Sequence, residues 1–489
     1  MTSGPPARSI LLFTIPMLLG NILQLLYSTV DSIIVGQYSG TYGLSAIGVS
    51  MPIQFFFAVF FMAVGIGVGV LVSQYFGAKD KDNLSKTVGT ALVLIFFTSL
   101  VATALGLLIS DWVLRITNCP TEVFDYAKSY MRIIFIGFIG MGFYNVLAGI
   151  LRGIGNSTFP LLVLAGTTVL NIFLDIWFVA RPDQLSFGLG MGVAGAAWAT
   201  IISQAVSAIV CFLRIMKMRD TLTLNRSTIK ITKRIAKLIV RIGLPSGVQQ
   251  MLMSMSFILV QSFVNAVRIP FNGILDGSLF VAVNTSVMRL DQFAMMPAQA
   301  FNMTASTFTG QNLGAGKVDR VMQGFKIILT MAMSVSVIMI IVMLLFSPQL
   351  LGLFINDPDP ARTVAITDLG IRMIRIMVVV YAFMAVSFTV GGVLRGAGDT
   401  MTQLIISIAT NVAFRVPLVI VLMNVTKSAE YPGGRPEAIY ISMIIGFGMH
   451  MLVNTIYFSR GRWKTRNTIT RPGGLRPQGT GDKGQSDRE

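Results

Sequence analysis

A chain of 489 residues in which 54% are hydrophobic and 12% charged carries about half the charge of an ordinary soluble protein, which excludes a string of soluble domains. The net charge of +17 falls in a few loops rather than on one surface, which argues against nucleic acid as a partner. Two cysteines, Cys119 and Cys211, are too few for a disulfide framework.

Apolar runs longer than ~18 residues, the length a helix needs to cross a bilayer, recur along the whole chain. They predict about twelve spans, at roughly 10–36, 45–74, 87–109, 130–151, 158–179, 190–213, 238–265, 277–311, 324–347, 374–394, 401–423 and 438–459. The first run is too long for a signal-peptide core. Helices are required, because backbone in lipid must satisfy its own hydrogen bonds and these runs lack the alternation of barrel strands. The expected class is therefore an all-α integral membrane protein.

Lysine and arginine give the orientation. The segment 214–237 between spans six and seven carries Arg214, Lys217, Arg219, Arg226, Lys230, Lys233, Arg234 and Lys237. Lys79, Lys81 and Lys86 follow span two, Lys317 and Arg320 follow span eight, and residues 460–489 form a basic tail, expected to be disordered. An even count puts all of these on one side, so both termini are expected in the cytoplasm. Cys119 and Cys211 then lie on opposite sides and should not pair.

The chain repeats itself. Leu151-Arg152-Gly153-Ile154-Gly155 matches Leu394-Arg395-Gly396-Ala397-Gly398, Gln74-Tyr75-Phe76-Gly77-Ala78 matches Gln311-Asn312-Leu313-Gly314-Ala315, and Ile15-Pro16 matches Leu244-Pro245. The order is the same and the offsets run from 229 to 243 residues. Six spans return the chain to its starting side, so the halves, 1–213 and 238–459, are parallel repeats that can enclose a central cavity and rock against each other.

Ionisable residues inside spans are costly and point to function. Asp31, in the outer part of span one, and Asp175, in span five, fall at similar depth to Thr200 in span six. Asn171 lies one turn from Asp175, and Asn21, Gln24 and Ser28 share a face of span one with Asp31. Two carboxylates, an amide and a hydroxyl at one depth can hold a small hard cation such as Na+ through oxygen, or share a proton. The plainer alternative is an interhelical hydrogen-bond cluster. In the second half Asn411 corresponds to Asn171, but Arg415 stands where Asp175 would be, and Val260 and Gln261 stand near where Asp31 would be. The coupling site is therefore expected in the first half only. Arg415 is expected to neutralise Asp291 or a ligand anion, as a structural ion pair in the plainer reading. His450 reads as structural. The segment Gly310–Lys317 departs from a P-loop in spacing, and Val318 follows it where Ser or Thr is needed, so ATP is not expected as the energy source.

These motifs together resemble the MATE (multidrug and toxic compound extrusion) family, from the first span to about residue 460. The resemblance rests on Ile15-Pro16, Val30-Asp31-Ser32 with Val35-Gly36, Leu151-Arg152-Gly153 with Gly155, Asn171-Ile172-Phe173-Leu174-Asp175 and Gly192-Val193-Ala194-Gly195-Ala196-Ala197. It implies a V-shaped pair of six-helix lobes, without enzyme activity or cofactor, that exports small cationic or amphipathic compounds in exchange for H+ or Na+. In the DinF-like branch the cation-site residues match Asp31, Asn171, Asp175 and Thr200, with Tyr130 and Asn145 as supporting polar positions and Pro16 where the first helix bends. The NorM-like branch carries an acid in span seven, where this chain has Gln249-Gln250; Gln250, Asp291 and Arg415 then read as second-half cavity residues. A monomer embedded in lipid is expected. The runner-up is a lipid-linked oligosaccharide flippase of the same superfamily, which a mixed-charge interior disfavours.

Overall fold

The computed structural model describes residues 1–464 except 118, 226, 272, 356 and 357. Helices dominate. The first, α1 (Pro6–Gly77), holds the two predicted opening spans in one continuous element. They part at Gly40, whose φ of 70° and ψ of −167° fit a residue without a Cβ. Pro16 and Pro52 lie inside α1 with helical dihedrals, and the non-helical residue is Gly40.

Four further helices complete the first half: α2 (Lys81–Ile116), α3 (Thr121–Ile154), α4 (Thr158–Val179) and α5 (Val193–Met216). The second half runs through α6 (Lys233–Ala266), α7 (Gly277–Gly314), α8 (Val318–Gly352), α9 (Pro360–Met377), α10 (Val379–Gly396), α11 (Thr400–Ser407), α12 (Arg415–Val425) and α13 (Pro436–Ser459). Among the described residues ten helical stretches, with Thr400–Val425 from α11 through α12 taken as one, are long and apolar enough to cross a membrane. With α1 counted as two crossings and α7 included, the predicted twelve are recovered.

Three features depart from the expected spans. The tenth is broken at Val378 into α9 and α10. The eleventh carries a π-helical stretch, Ile408–Phe414, between α11 and α12, and such bulges collect at functional sites. A short antiparallel hairpin, β1 (Ile269–Phe271) with β2 (Ile274–Asp276), joins α6 to α7, with Ile269 opposite Asp276 and Phe271 opposite Ile274.

The basic segments gather at one end. Lys317 and Arg320 donate to the carbonyls of residues 1–4. Thr90 bonds the Lys230 carbonyl, and Ser85 accepts from the Thr223 amide, so the 214–237 linker docks on the start of α2. Residues 460–464 are not disordered: Trp463 is fully buried and stacks on Phe458 at 5.3 Å. The rest of the predicted tail lies outside the described residues. Cys119 and Cys211 are both free thiols.

Candidate functional site

The repeat motifs meet at the basic end. Gln74 Nε2 donates to the Gly396 carbonyl at 2.8 Å, and its counterpart Gln311 donates to the Gly153 carbonyl at 2.8 Å. Each half therefore reaches into the Leu-Arg-Gly motif of the other. Backbone contact accompanies the exchange: a Cβ on Gly77 would stand 1.9 Å from the Gln311 carbonyl oxygen, and one on Gly314 2.0 Å from that of Gln74. Gly67 meets the Ile239 carbonyl and Gly243 that of Ala63 in the same way. In both motifs the second glycine takes positive φ, 98° at Gly155 and 82° at Gly398, which ends the helix in the left-handed conformation. The motif glycines thus serve turn and contact, and the halves are sealed together at this end.

Above the seal lies a cavity of about 600 Å³. It extends from Arg152 and Arg395 to Val264 and Ile439, near the far ends of α6 and α13. Most of its lining comes from α6, α7, α10 and α13, with Gln250, Asp291 and His450 in the wall. Asn145 also lines it, but its amide donates to Met141 of its own helix at 2.9 Å. Asp291 is buried, and its carboxyl faces the Tyr381 hydroxyl. The expected pairing of Arg415 with Asp291 is not formed. Arg415 lies behind the wall with its guanidinium 5.6 Å from the ring centre of Phe447. The π-helical stretch just before Arg415 adds a residue to one turn and alters the facing that a regular helix would give it. His450 is held by Thr410 at 2.8 Å and Asn454 at 2.9 Å, as a structural residue would be.

The first-half acids form a separate buried site. Asp31 and Asp175 are 8% and 0% exposed, and their carboxyls lie within hydrogen-bonding reach of each other. Asn171, 1% exposed, has a side-chain amide with no partner at either atom, and both Asp175 oxygens and one of Asp31 lack a donor. Leaving a buried polar atom unsatisfied costs ~1–3 kcal/mol, and this cluster concentrates several such atoms, most of them oxygens, in one place. Thr200 reaches the site through the Tyr27 hydroxyl, which lies beside it without a well-formed hydrogen bond. Tyr130 is buried next to Gln54 and within the field of Asp31.

Asn21, Gln24 and Ser28 are not drawn in by any hydrogen bond to the acids. Gln24 is exposed, and Ser28 donates to Leu25 in its own helix. Tyr27 and Gln54 were not singled out in the sequence. Tyr27 had a signal, since it lies four residues before Asp31 and so one turn away on the same face. Gln54 had none, because only the packing of α1 against α3 brings it to Tyr130.

The MatE family model matches residues 16–177 and 245–421, one segment in each half. The chain belongs to the MATE family. Its members are transporters, and this one is a multi-pass membrane transporter rather than an enzyme. It is 28% identical over 453 residues to the probable multidrug resistance protein YoeA of Bacillus subtilis, covering 91% of this chain and 94% of the relative. It is 26% identical over 470 residues to the probable multidrug resistance protein NorM of Thermotoga maritima, covering 95% and 94%. Among solved structures, a MOP superfamily transporter from Pyrococcus furiosus, described as having a binding pocket of reverse polarity, superposes with TM-score 0.83 at 24% identity over 94% of this chain and 97% of its own. A MATE crystallised with MaL6 superposes with TM-score 0.82 at 25% identity over the same shares. These likenesses establish the all-helical MATE fold with its two six-helix repeats.

Proposed function

We propose that the chain is a secondary antiporter that exports small amphipathic organic compounds in exchange for H+ or Na+ by alternating access. The observation that carries this reading is the buried Asp31–Asp175 pair with the unpartnered Asn171 amide between helices α1 and α4. A proton bridging the carboxyls would satisfy carboxylate oxygens that now lack donors, and a sodium ion could also take the Asn171 amide oxygen and Thr200. Occupancy removes the electrostatic demand of the pair, so the outer part of α1 can pack differently against α4 and α5. A bound ion shifts the balance of two arrangements only by its difference in affinity for them.

Residues 1–213 and 238–459 act as the two lobes in this scheme, joined by the basic linker 214–237, in a cell membrane with both termini cytoplasmic. The seal at the basic end then makes this the outward-open arrangement of a monomer that carries its own cavity. Asp291 offsets a positive group on a substrate. The curated relatives YoeA and NorM, named as probable multidrug resistance proteins, support export as the direction.

The test is transport in proteoliposomes with sodium and proton gradients imposed one at a time. Export of a fluorescent dye such as ethidium driven by either gradient supports the scheme. Equal flux with neither gradient would overturn it.

A further inference from the structure

The central cavity contains a second charged feature that ion coupling does not use. Among the described residues its lining holds one carboxylate, Asp291, and two guanidinium groups, Arg152 and Arg395. The arginines occupy the same place in the two Leu-Arg-Gly motifs. Each immediately precedes the glycine whose carbonyl accepts a glutamine amide from the other half. One positive charge from each half therefore stands at the cavity floor, beside the seal.

Neither arginine has a carboxylate partner among the described residues. Arg395 Nη1 donates to the Asn302 amide oxygen at 3.0 Å, a neutral acceptor. Arg152 is part-buried, and its Nε is enclosed with no acceptor at all. The ionisable groups nearest Arg152 are Tyr144 and Cys211, a phenol and a thiol. Asp291, the one acid in the lining, is engaged with Tyr381. A guanidinium does not shed its proton in proteins, so burial here cannot be relieved by neutralisation. It is relieved by an anion, and the planar fork of donors suits the two oxygens of a carboxylate or phosphate.

The walls above the floor mix amide and hydroxyl groups with adaptable apolar side chains, Met288, Met295, Met303 and Met384 among them. Unbranched thioether side chains repack around differently shaped apolar bodies. We propose that Arg152 and Arg395 form an oxyanion-binding floor, so that the compounds accepted by this cavity include amphipathic acids, with the carboxylate or phosphate on the arginines and the apolar body against the methionines. This rests on the reading of the cavity as the substrate site, and it is independent of which ion drives export.

Binding of matched probes to the full chain in phosphatidylcholine nanodiscs, with no ion gradient, tests it. The probes are 1-naphthyl phosphate, (1-naphthyl)methylammonium, uncharged 1-naphthol and inorganic phosphate. Naphthyl phosphate should bind about tenfold or more tighter than naphthol, as expected for charge-assisted hydrogen bonds. In Arg152→Gln and in Arg395→Gln the ratio of the phosphate Kd to the ammonium Kd should rise about tenfold, and Arg152→Lys should restore part of it. The ratio cancels a general loss of folded protein, and two single variants guard against one failing to fold. An unchanged ratio in both variants overturns the floor. Inorganic phosphate binding as tightly as naphthyl phosphate overturns the amphipathic part. Displacement of the probe by phosphatidylglycerol in the nanodisc would assign the arginines to lipid and also overturn it. Because no gradient is present, failure of ion-driven export leaves these outcomes untouched.

Discussion

Gln74 hands its side-chain amide to the Gly396 carbonyl across the two halves, and Gln311 returns the same bond to Gly153. Both glutamines are buried, at 3% and 0% exposure. A buried neutral hydrogen bond contributes ~1 kcal/mol net, and its orphaned acceptor costs more. The pair therefore favours the sealed basic end.

Removing the pair should open that end. In Gln74→Ala/Gln311→Ala, spin labels at the starts of α2 and α8 should show a longer-distance population that is at least about fivefold enriched, since ~1 kcal/mol per bond corresponds to about fivefold in an equilibrium. Gly77→Ala should do the same by wedging, because the added methyl would meet the Gln311 carbonyl at 1.9 Å. Wild-type distance distributions in both variants would remove the seal from the mechanism.

Neutralising one acid should uncouple transport. Asp175→Asn places an amide beside Asp31 and removes the carboxylate pair, while keeping the volume of a fully buried side chain. Ion-driven export in proteoliposomes should fall to the level of empty liposomes, with normal insertion and a monodisperse purified protein. Full export by this variant would dismiss the assignment.

Asp31→Asn separates a coupling role from a structural one. If Asp31 only ties helices together, the variant should lose thermal stability and still change shape with sodium or pH. The coupling role predicts that the change in distance between labels on the two halves no longer responds to sodium or to pH. That response is the measurement that decides.

Orientation can be read by labelling. Single cysteines introduced as Asn225→Cys and Gly473→Cys, in a Cys119→Ser/Cys211→Ser background, should resist an impermeant maleimide in intact cells and react after the membrane is opened. Reaction at both from outside would reverse the topology.

Asp276 caps α7 by accepting from the Ser278 and Leu279 amides and pairs with Arg362 at 3.2 Å, at the end opposite the seal. Partial burial raises its carboxyl pKa, but the Ser278 side-chain and backbone bonds, the Leu279 amide and Arg362 outweigh this and hold it below the usual carboxylate range. A lowered folded pKa means the contribution is present above the unfolded value, near 4, and is lost as pH falls through the folded one. Asp276→Ala should cost ~0.5–2 kcal/mol at neutral pH, seen as earlier thermal unfolding. The gap between variant and wild type should close on acidification below about pH 4. A gap that persists at low pH would assign the loss to something other than the charge.

Much of the architecture is written in local composition. Span lengths, the end at which the basic loops gather and the duplication of Gln-x-x-Gly-Ala and Leu-Arg-Gly-x-Gly are properties of short stretches, because a bilayer imposes one length and one hydropathy on every crossing. Asp31, Asn171 and Asp175 were legible for the same reason, since a charge or amide in an apolar run has few reasons to be there. What local pattern could not supply is which side chains meet. The rotation of each helix about its axis is set by packing between helices, so Gln24 turned outward and Tyr27 inward although both lie within two turns of Asp31. The π-helical stretch at Ile408–Phe414, just before Arg415, is likewise not legible in the local sequence. The meeting of Gln74 with Gly396, and the placing of Arg152 and Arg395 in one cavity, exist only once the two halves close on each other, because each half supplies one partner.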